Sequence, residues 1–343
     1  MRQPPLLLLT TWLICLSAAC GQDMGSRETI LKQSPADLGY RNSHGWLKFP
    51  PEGHPDWTFD GVVSGIAVDS QGRVYVAHRG NKTPRLTVWN PDGSFRRVFP
   101  GPRPTRPHMM SIDKDDHVWL VDDGGHCIRK MNQDGDVLLV LGEPGVKGFD
   151  STHFNHPTDV AWDKDGNIYI TDGDNSDTYD KSLPQDTPQN RRVLKYTPDG
   201  TFLKSWGKVG QQVGQFDYPH SICVDTEETV FVCDRNNWRI QVFDKEGRQE
   251  ANWTHIGRAY KMVEDKNGDY FVTDGRVGRI SKIKRDGRVI GFWETPDKGP
   301  GERGSLNNAH SIAICPNGDL ITGTYQGWVE RWKAPPTRHV NKE

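Results

Sequence analysis

The stretch YPHSICVDTEETVFVCDRN, residues 218–236, reads as two apolar strands joined by a polar turn. The same pattern of strand, acidic turn and strand occurs five more times along the chain. The six copies begin at residues 63, 106, 156, 218, 258 and 308. Repetition at a fixed spacing is typical of architectures in which each unit buries its apolar faces against its neighbours. One histidine, His220, stands in the first strand where an apolar residue would pack without cost.

A second hairpin follows five of the copies, and each of these turns on an acidic residue and glycine, as in NPDGS at residues 90–94. Four strands per copy favour blades arranged around a channel. We therefore predict an all-β protein with one domain, a six-bladed β-propeller over residues 45–336. The sixth copy is one strand short, so we expect an N-terminal strand to close it, with GWLKFP at residues 45–50 as the candidate.

The first twenty residues, MRQPPLLLLTTWLICLSAAC, resemble an export signal. We expect a lipoprotein signal at residues 1–19 and lipidation of Cys20, with ordinary cleavage after Ala19 as the alternative. A linker would cover residues 20–44 and a tail residues 337–343. This predicts an exported bacterial protein, periplasmic or anchored to the outer membrane, that contacts membrane only through the lipid. The formal net charge of −2 gives no indication of a nucleic-acid partner.

His220 occupies a position that can be aligned across all six copies. Histidine takes every second copy, and the inner strands line the channel, so three imidazoles are expected to converge on the axis. Three histidine ligands and one open position describe a catalytic zinc site. The alternative is that each histidine only packs the channel. We align this ring as Gly65, His108, Thr158, His220, Tyr260 and His310.

A second ring is expected where the second strands end, at the same mouth of the channel. Arginine beside a cationic metal suggests an anionic group between them, such as a substrate carboxylate. The alternative is that each arginine pairs with a neighbouring carboxylate and only joins blades. The second ring contains Arg79, Asp123, Gly173, Arg235, Gly275 and Tyr325.

The motifs RPHMMSID (106–113), GQFDYPHSICVD (214–225) and AHSIAI (309–314) resemble NHL repeats. Together with VSGIAVD (63–69) they resemble the peptidyl-α-hydroxyglycine α-amidating lyase family. The resemblance implies cleavage of an α-hydroxyamide C–N bond to an amide and glyoxylate. It implies zinc on three histidines, and two active-site arginines. The zinc ligands would be His108, His220 and His310, and the arginines Arg79 and Arg235, which would also bind substrate together with Tyr325.

The chain departs from that family at two places. The family's catalytic tyrosine corresponds to Asp174, at the start of a polar insertion, so Tyr179 in the insertion is the nearest candidate, followed by Tyr325 and Tyr260. The family also binds a structural calcium ion through an Asp that is Ser311 here, which leaves calcium as a further candidate cofactor.

Three functions therefore remain open from sequence. The first is a zinc-dependent lyase acting on a peptide or small molecule with an α-hydroxyamide. The second is a lactonase-like propeller metallohydrolase, in which metal-bound water attacks an ester. The third is a non-catalytic NHL module that binds a protein or glycan.

Overall fold

The computed structural model describes residues 37–173, 190–275, 277–295 and 302–336. Within these ranges the chain forms six four-stranded antiparallel sheets. The prediction of an all-β, six-bladed propeller is confirmed. No helix in the described part of the chain is long and apolar enough to cross a membrane.

Each of the first five blades consists of four strands consecutive in the chain. The first contains β2 (Val63–Val68), β3 (Val74–His78), β4 (Leu86–Trp89) and β5 (Phe95–Val98). The second contains β6 (Pro107–Ile112), β7 (Val118–Asp122), β8 (Cys127–Met131) and β9 (Val137–Leu141). The third contains β10 (Pro157–Trp162), β11 (Ile168–Asp172), β12 (Arg192–Tyr196) and β13 (Phe202–Trp206).

The remaining blades follow the same plan until the last. The fourth contains β14 (Pro219–Val224), β15 (Val230–Asp234), β16 (Arg239–Phe243) and β17 (Gln249–Trp253). The fifth contains β18 (Ala259–Glu264), β19 (Tyr270–Asp274), β20 (Arg279–Ile283) and β21 (Val289–Glu294). The sixth contains β22 (Ala309–Ile314), β23 (Leu320–Thr324) and β24 (Val329–Lys333), with β1 (Arg41–Asn42) at its edge.

The acidic residue between the first two strands of a blade forms the turn. In the fourth blade, Oδ1 of Asp225 accepts the backbone N–H groups of Glu227 at 3.0 Å and Thr229 at 2.7 Å. Asp69 makes the equivalent pair of bonds in the first blade. An aspartate that bonds the backbone two residues ahead favours a tight turn over a continued strand. In the first five blades this aspartate therefore sets where the inner hairpin reverses, and Cys315 stands at its position in the sixth.

The fourth strand of the sixth blade comes from a different segment than expected. Arg41 and Asn42 pair with Lys333 and Trp332 of β24, so the edge position is held by two residues that precede the predicted segment 45–50. Within that segment, the Lys48 N–H donates to the Gly93 carbonyl of the first blade at 2.9 Å. Expecting the edge strand at residues 45–50 was therefore wrong. A two-residue strand has no alternating pattern by which sequence could reveal it.

Candidate metal centre

The three predicted histidines meet at the axis of the propeller. His108, His220 and His310 stand on the inner strands β6, β14 and β22, and all three are fully buried. Their ring centroids lie 4.8, 5.0 and 4.8 Å apart, close to an equilateral triangle. One ring nitrogen of each lies within 4.8 Å of those of the other two. We call these residues the histidine tripod.

Each imidazole of the tripod is oriented by a hydrogen bond to the neighbouring blade. Nδ1 donates to a backbone carbonyl, so Nε2 of the neutral ring carries the lone pair available to a metal. A carbonyl bond on the other ring nitrogen is the usual support of a metal-binding histidine. The three bonds join His108 to Thr158 at 2.7 Å, His220 to Tyr260 at 2.8 Å and His310 to Ser64 at 2.9 Å.

These bonds also correct one position of the predicted ring. Gly65 pairs with Ala77, just as Asp159 pairs with Thr171, so Gly65 is equivalent to Asp159 and lies one residue too far along the strand. Ser64 is the residue equivalent to Thr158. The sequence contains the marker that corrects it, since the turn residue Asp69 follows Ser64 by five residues, as Asp163 follows Thr158.

The donor set suits a zinc ion. Three neutral imidazole nitrogens around an open fourth position form the ligand set of catalytic zinc, with Zn–N distances of about 2.0–2.1 Å. Ideal tetrahedral coordination at that distance separates the nitrogens by roughly 3.4 Å. This lies inside the 4.8 Å limit that all three ligand atoms satisfy. The three rings are therefore grouped closely enough to serve as the ligand set of one metal ion.

Arg79 and Arg235 lie at the mouth beside the tripod in different surroundings. Arg79 donates from Nε to the Pro107 carbonyl at 2.9 Å and from Nη2 to Asp123 at 3.2 Å. It therefore joins the first two blades, as the alternative interpretation expected. Arg235 is buried, and its guanidinium carbon lies 5.1 Å from the centre of the Tyr260 ring. The cation of Arg235 thus stands against an aromatic ring that itself contacts His220.

Two of the three predicted tyrosines stand next to the tripod. The Tyr325 ring centroid lies 5.0 Å from that of His310, and the Tyr260 ring centroid lies 5.0 Å from that of His220. Tyr179 falls outside the described residues, so its catalytic role stays a prediction.

Sequence reasoning missed a third ring, formed by the residue that precedes each inner strand. In five blades its carbonyl accepts the N–H of the second-ring residue, at 2.9–3.1 Å. His156, Tyr218 and Asn308 of this ring have φ of 58°, 62° and 60°. The signal that the sequence offered was the fixed position of these residues, immediately before the first strand of each blade. The third ring contains Val62, Arg106, His156, Tyr218, Arg258 and Asn308.

Tyr218 is the centre of a group of cations at the mouth. The guanidinium carbons of Arg191 and Arg235 lie 4.0 and 4.8 Å from the centre of its ring. A left-handed backbone is unusual for a tyrosine and is strained, and such strain concentrates at functional sites. Arg191 is buried and pairs with Asp217 at 3.1 Å. Arg191, Tyr218, Arg235 and Tyr260 thus form one contiguous wall that reaches the tripod.

Buried carboxylates hydrogen-bond the chain segments next to this wall. Asp234 accepts the backbone N–H of Asp217 at 2.7 Å and binds Arg239 through Nε at 2.7 Å. Burial raises the pKa of Asp234 to about 6, although the Arg239 charge opposes that shift. Asp172 of the third blade shares this environment, and burial raises its pKa to about 6 as well. These groups hold the segments that enter the inner strands.

One residue further along the inner strands, a buried ion pair crosses the channel. The Lys261 ammonium lies 2.6 Å from Asp159 Oδ2, and this oxygen also accepts the Ser221 hydroxyl at 2.7 Å. The channel was considered for calcium from sequence. A cation from the chain itself already balances the Asp159 carboxylate there, and calcium binding remains an untested prediction.

Comparison with known proteins agrees with this architecture. Residues 216–243 match the NHL repeat model, and residues 58–140 match the model of the lipoprotein LpqB beta-propeller domain. The chain is 36% identical over 254 residues to NHL repeat-containing protein 3 of Homo sapiens, covering 71% of this chain and 67% of that protein. It also spans about a third of the longer peptidylglycine alpha-amidating monooxygenases that it matches.

Two further matches are to the sequence of an enzyme and to a solved structure. The chain is 26% identical over 296 residues to a probable peptidyl-alpha-hydroxyglycine alpha-amidating lyase of Caenorhabditis elegans, covering 76% of this chain and 79% of that protein. The structure of a gluconolactonase from Xanthomonas campestris has a TM-score of 0.58 at 16% identity, covering 88% of this chain and 97% of that chain. At that identity the likeness shows the propeller fold alone. The repeats, the six sheets and the relatives together show that the chain belongs to the NHL-repeat family of β-propeller proteins.

Proposed function

We propose that this protein is an exported, zinc-dependent lyase that cleaves the C–N bond of an α-hydroxyamide, releasing an amide and glyoxylate. The observation that carries the proposal is the buried histidine tripod beside the guanidinium of Arg235. The relatives named as amidating lyases support this reaction class. The match to the lipoprotein propeller model supports export.

The residues around the tripod suit a substrate with a carboxylate next to its carbinol carbon. Zinc on the histidines would acidify the carbinol hydroxyl and stabilise the resulting oxyanion. The Arg235 guanidinium would bind the carboxylate, and Arg79, anchored by Asp123, would add positive charge from the opposite side of the mouth. Tyr325, against His310, would contact the substrate where it enters.

The reaction needs one proton moved and one bond broken. The hydroxyl loses its proton as the carbinol carbon becomes the aldehyde carbon of glyoxylate. The electron pair of the C–N bond passes to nitrogen, which gains a proton to give the amide. No oxidant or reductant is consumed. Tyr179 is the residue that we predict to carry the proton.

Metal content and glyoxylate release test the proposal together. We expect about one zinc ion per purified chain and glyoxylate from N-benzoyl-α-hydroxyglycine. His220→Ala should lose both, because one of three ligands is gone. His153→Ala is the matched control, since His153 lies at the surface beside Asp150, outside the tripod.

Three results would contradict the lyase. Hydrolysis of a lactone panel without glyoxylate would favour a metallohydrolase. Bound metal with neither activity would remove the reaction class. A wild-type chain that takes up no metal would leave a binding module.

A further inference from the structure

A cavity of about 300 Å³ lies between the sixth and first blades. A volume of this size is at the lower end of those that bind small ligands. Aromatic and aliphatic side chains form most of the wall, and Arg303 supplies a cation. We call this cavity the seam pocket, and its apolar lining consists mainly of Leu47, Phe49, Trp57, Phe59, Trp328 and Val329.

The seam pocket lies next to the mouth of the channel that holds the tripod. Its wall at Gln326–Val329 continues directly from Tyr325, whose ring contacts His310. On the other side, the segment that contains Phe59 packs against Arg79 and Gly80. A Cβ atom on Gly61 would lie 2.7 Å from the Gly80 nitrogen, and one on Gly327 would lie 2.1 Å from the Phe59 carbonyl oxygen. The pocket and the mouth are therefore held together by backbone contacts that leave no room for side chains.

The apolar surface extends beyond one pocket. Trp57 also lines a neighbouring cavity of about 450 Å³. The lining of that cavity includes Asn81, two residues after Arg79 in the chain. The Trp57 ring is held in place by stacking on His54 at 4.0 Å and by an edge contact with Phe95 at 5.3 Å. Trp57 therefore belongs to the walls of both cavities, so the apolar lining of the seam pocket continues past its own volume.

We propose that the seam pocket binds an apolar side chain of a peptide substrate, upstream of the α-hydroxyglycine that reacts at the tripod. The proposal rests on the proposed lyase function and names its substrate class. Tyr325 and Trp328 are three residues apart, so their Cα atoms are at most roughly 11 Å apart. An extended peptide covers that distance with about three residues at about 3.3 Å each. Because roughly 11 Å is an upper limit, the occupant is one of the three side chains that precede the hydroxyglycine.

Matched peptides test the pocket. Acetyl-Ala-Ala-Ala-α-hydroxyglycine is compared with versions that carry Phe at each alanine in turn. Burying a phenyl ring should raise kcat/KM about tenfold at one of the three positions. Trp57→Ala should reduce this preference to about twofold or less. Thr58→Trp, which adds bulk beside the pocket, is a second variant that removes no packed side chain.

The control variant is Phe202→Ala, which changes an exposed aromatic residue of β13 in the third blade. It should keep the full preference for phenylalanine. The same peptides ending in glycine cannot react, so their dissociation constants, from calorimetry, report binding alone. They should show the same preference and the same loss in Trp57→Ala and Thr58→Trp.

The outcomes separate the two proposals. If the wild type releases no glyoxylate but the glycine peptides bind with a phenylalanine preference, the lyase is wrong and the pocket stands. If glyoxylate is released and the phenylalanine peptides are no better than the alanine peptide, the pocket is wrong and the lyase stands. Equal preference in wild type, Trp57→Ala and Thr58→Trp would place the selectivity elsewhere and overturn the assignment.

Discussion

At the scale of single residues, the environment decides what a buried polar group can do. His220 bonds the next blade through Nδ1 and presents Nε2 to the axis, whereas Lys261, one level further along the channel, neutralises a carboxylate. Both are buried polar groups on inner strands. The His220 ring therefore points a nitrogen at the other two histidines, whereas the Lys261 ammonium neutralises a carboxylate within the fold.

Lys261→Met should destabilise the protein strongly, because it leaves the Asp159 carboxylate buried without its cation. We expect a loss of about 3–5 kcal/mol in the free energy of unfolding. Lys114→Met is the matched control, since the Lys114–Asp115 pair is exposed, and its stability should stay close to that of the wild type. Urea unfolding of the two variants gives the comparison. Equal stability of Lys261→Met and wild type would show that the pair contributes nothing.

Sequence could predict the tripod but not all its surroundings. The alternation of histidine was visible because a turn aspartate marks the register in most blades. Tyr218 could not be recognised, since its partner Arg191 belongs to the third blade and only the fold brings them together. The shift from Ser64 to Gly65 was avoidable, because Asp69 follows Ser64 by the same five residues that separate Asp163 from Thr158.

At the scale of elements, the last blade depends on a very short strand. β1 contributes two residues to the sheet, yet Tyr40 just before it stacks on Trp293 of the fifth blade at 4.7 Å between ring centroids. Asn42 also donates to the buried Glu330 at 3.1 Å. This edge is therefore held by side chains more than by its ladder of backbone bonds.

A chain that begins at residue 44 should be less stable than one that begins at residue 37. The shorter chain loses the Tyr40 stack and exposes the edge of β24, which could then pair with another chain. Each kcal/mol lost lowers Tm by about 1–2 °C in a chain of about 300 residues. Calorimetry measures Tm, and light scattering detects association. If the two chains match in both measurements, β1 does not hold the ring closed.

At the scale of the whole molecule, the tripod ties the blades together in pairs. The sixth blade bonds the first, the second bonds the third and the fourth bonds the fifth, each through one Nδ1 donor. A metal held by all three histidines would connect these pairs through a single point. The six repeats of the sequence thus place three histidines, one from every second blade, at the axis.

Zinc should therefore stabilise the entire propeller. A ligand at one hundred times its dissociation constant adds about 2.7 kcal/mol to the free energy of unfolding, provided that it binds only the folded chain. We expect a higher Tm with zinc than after chelation in the wild type, and no difference in His310→Ala. Differential scanning calorimetry measures both proteins. A Tm that does not respond to zinc in the wild type would contradict a metal shared by the blade pairs.

The repeat predicted the architecture because every blade repeats its strand pattern and the first five repeat its turn aspartate. The closing strand and the third ring could not be predicted in this way. Arg41 and Asn42 have no pattern of their own, and Tyr218 and Arg258 make their contacts with Arg191 of the third blade and Asn236 of the fourth. Local sequence patterns thus determine the blades, whereas contacts between residues far apart in the chain determine the arrangement of side chains at the mouth of the channel.

The ion pair of Lys261 and Asp159 has a stereochemical consequence. Because the pair crosses the channel on the side of the histidines away from Arg235, we expect a reactant to reach them from the mouth that holds Arg235. A carbinol carbon bearing hydroxyl, carboxylate, nitrogen and hydrogen is chiral, and its mirror images cannot both direct hydroxyl to the histidines and carboxylate to Arg235 with nitrogen facing outward. From a racemic mixture, one enantiomer should be consumed and the other left behind.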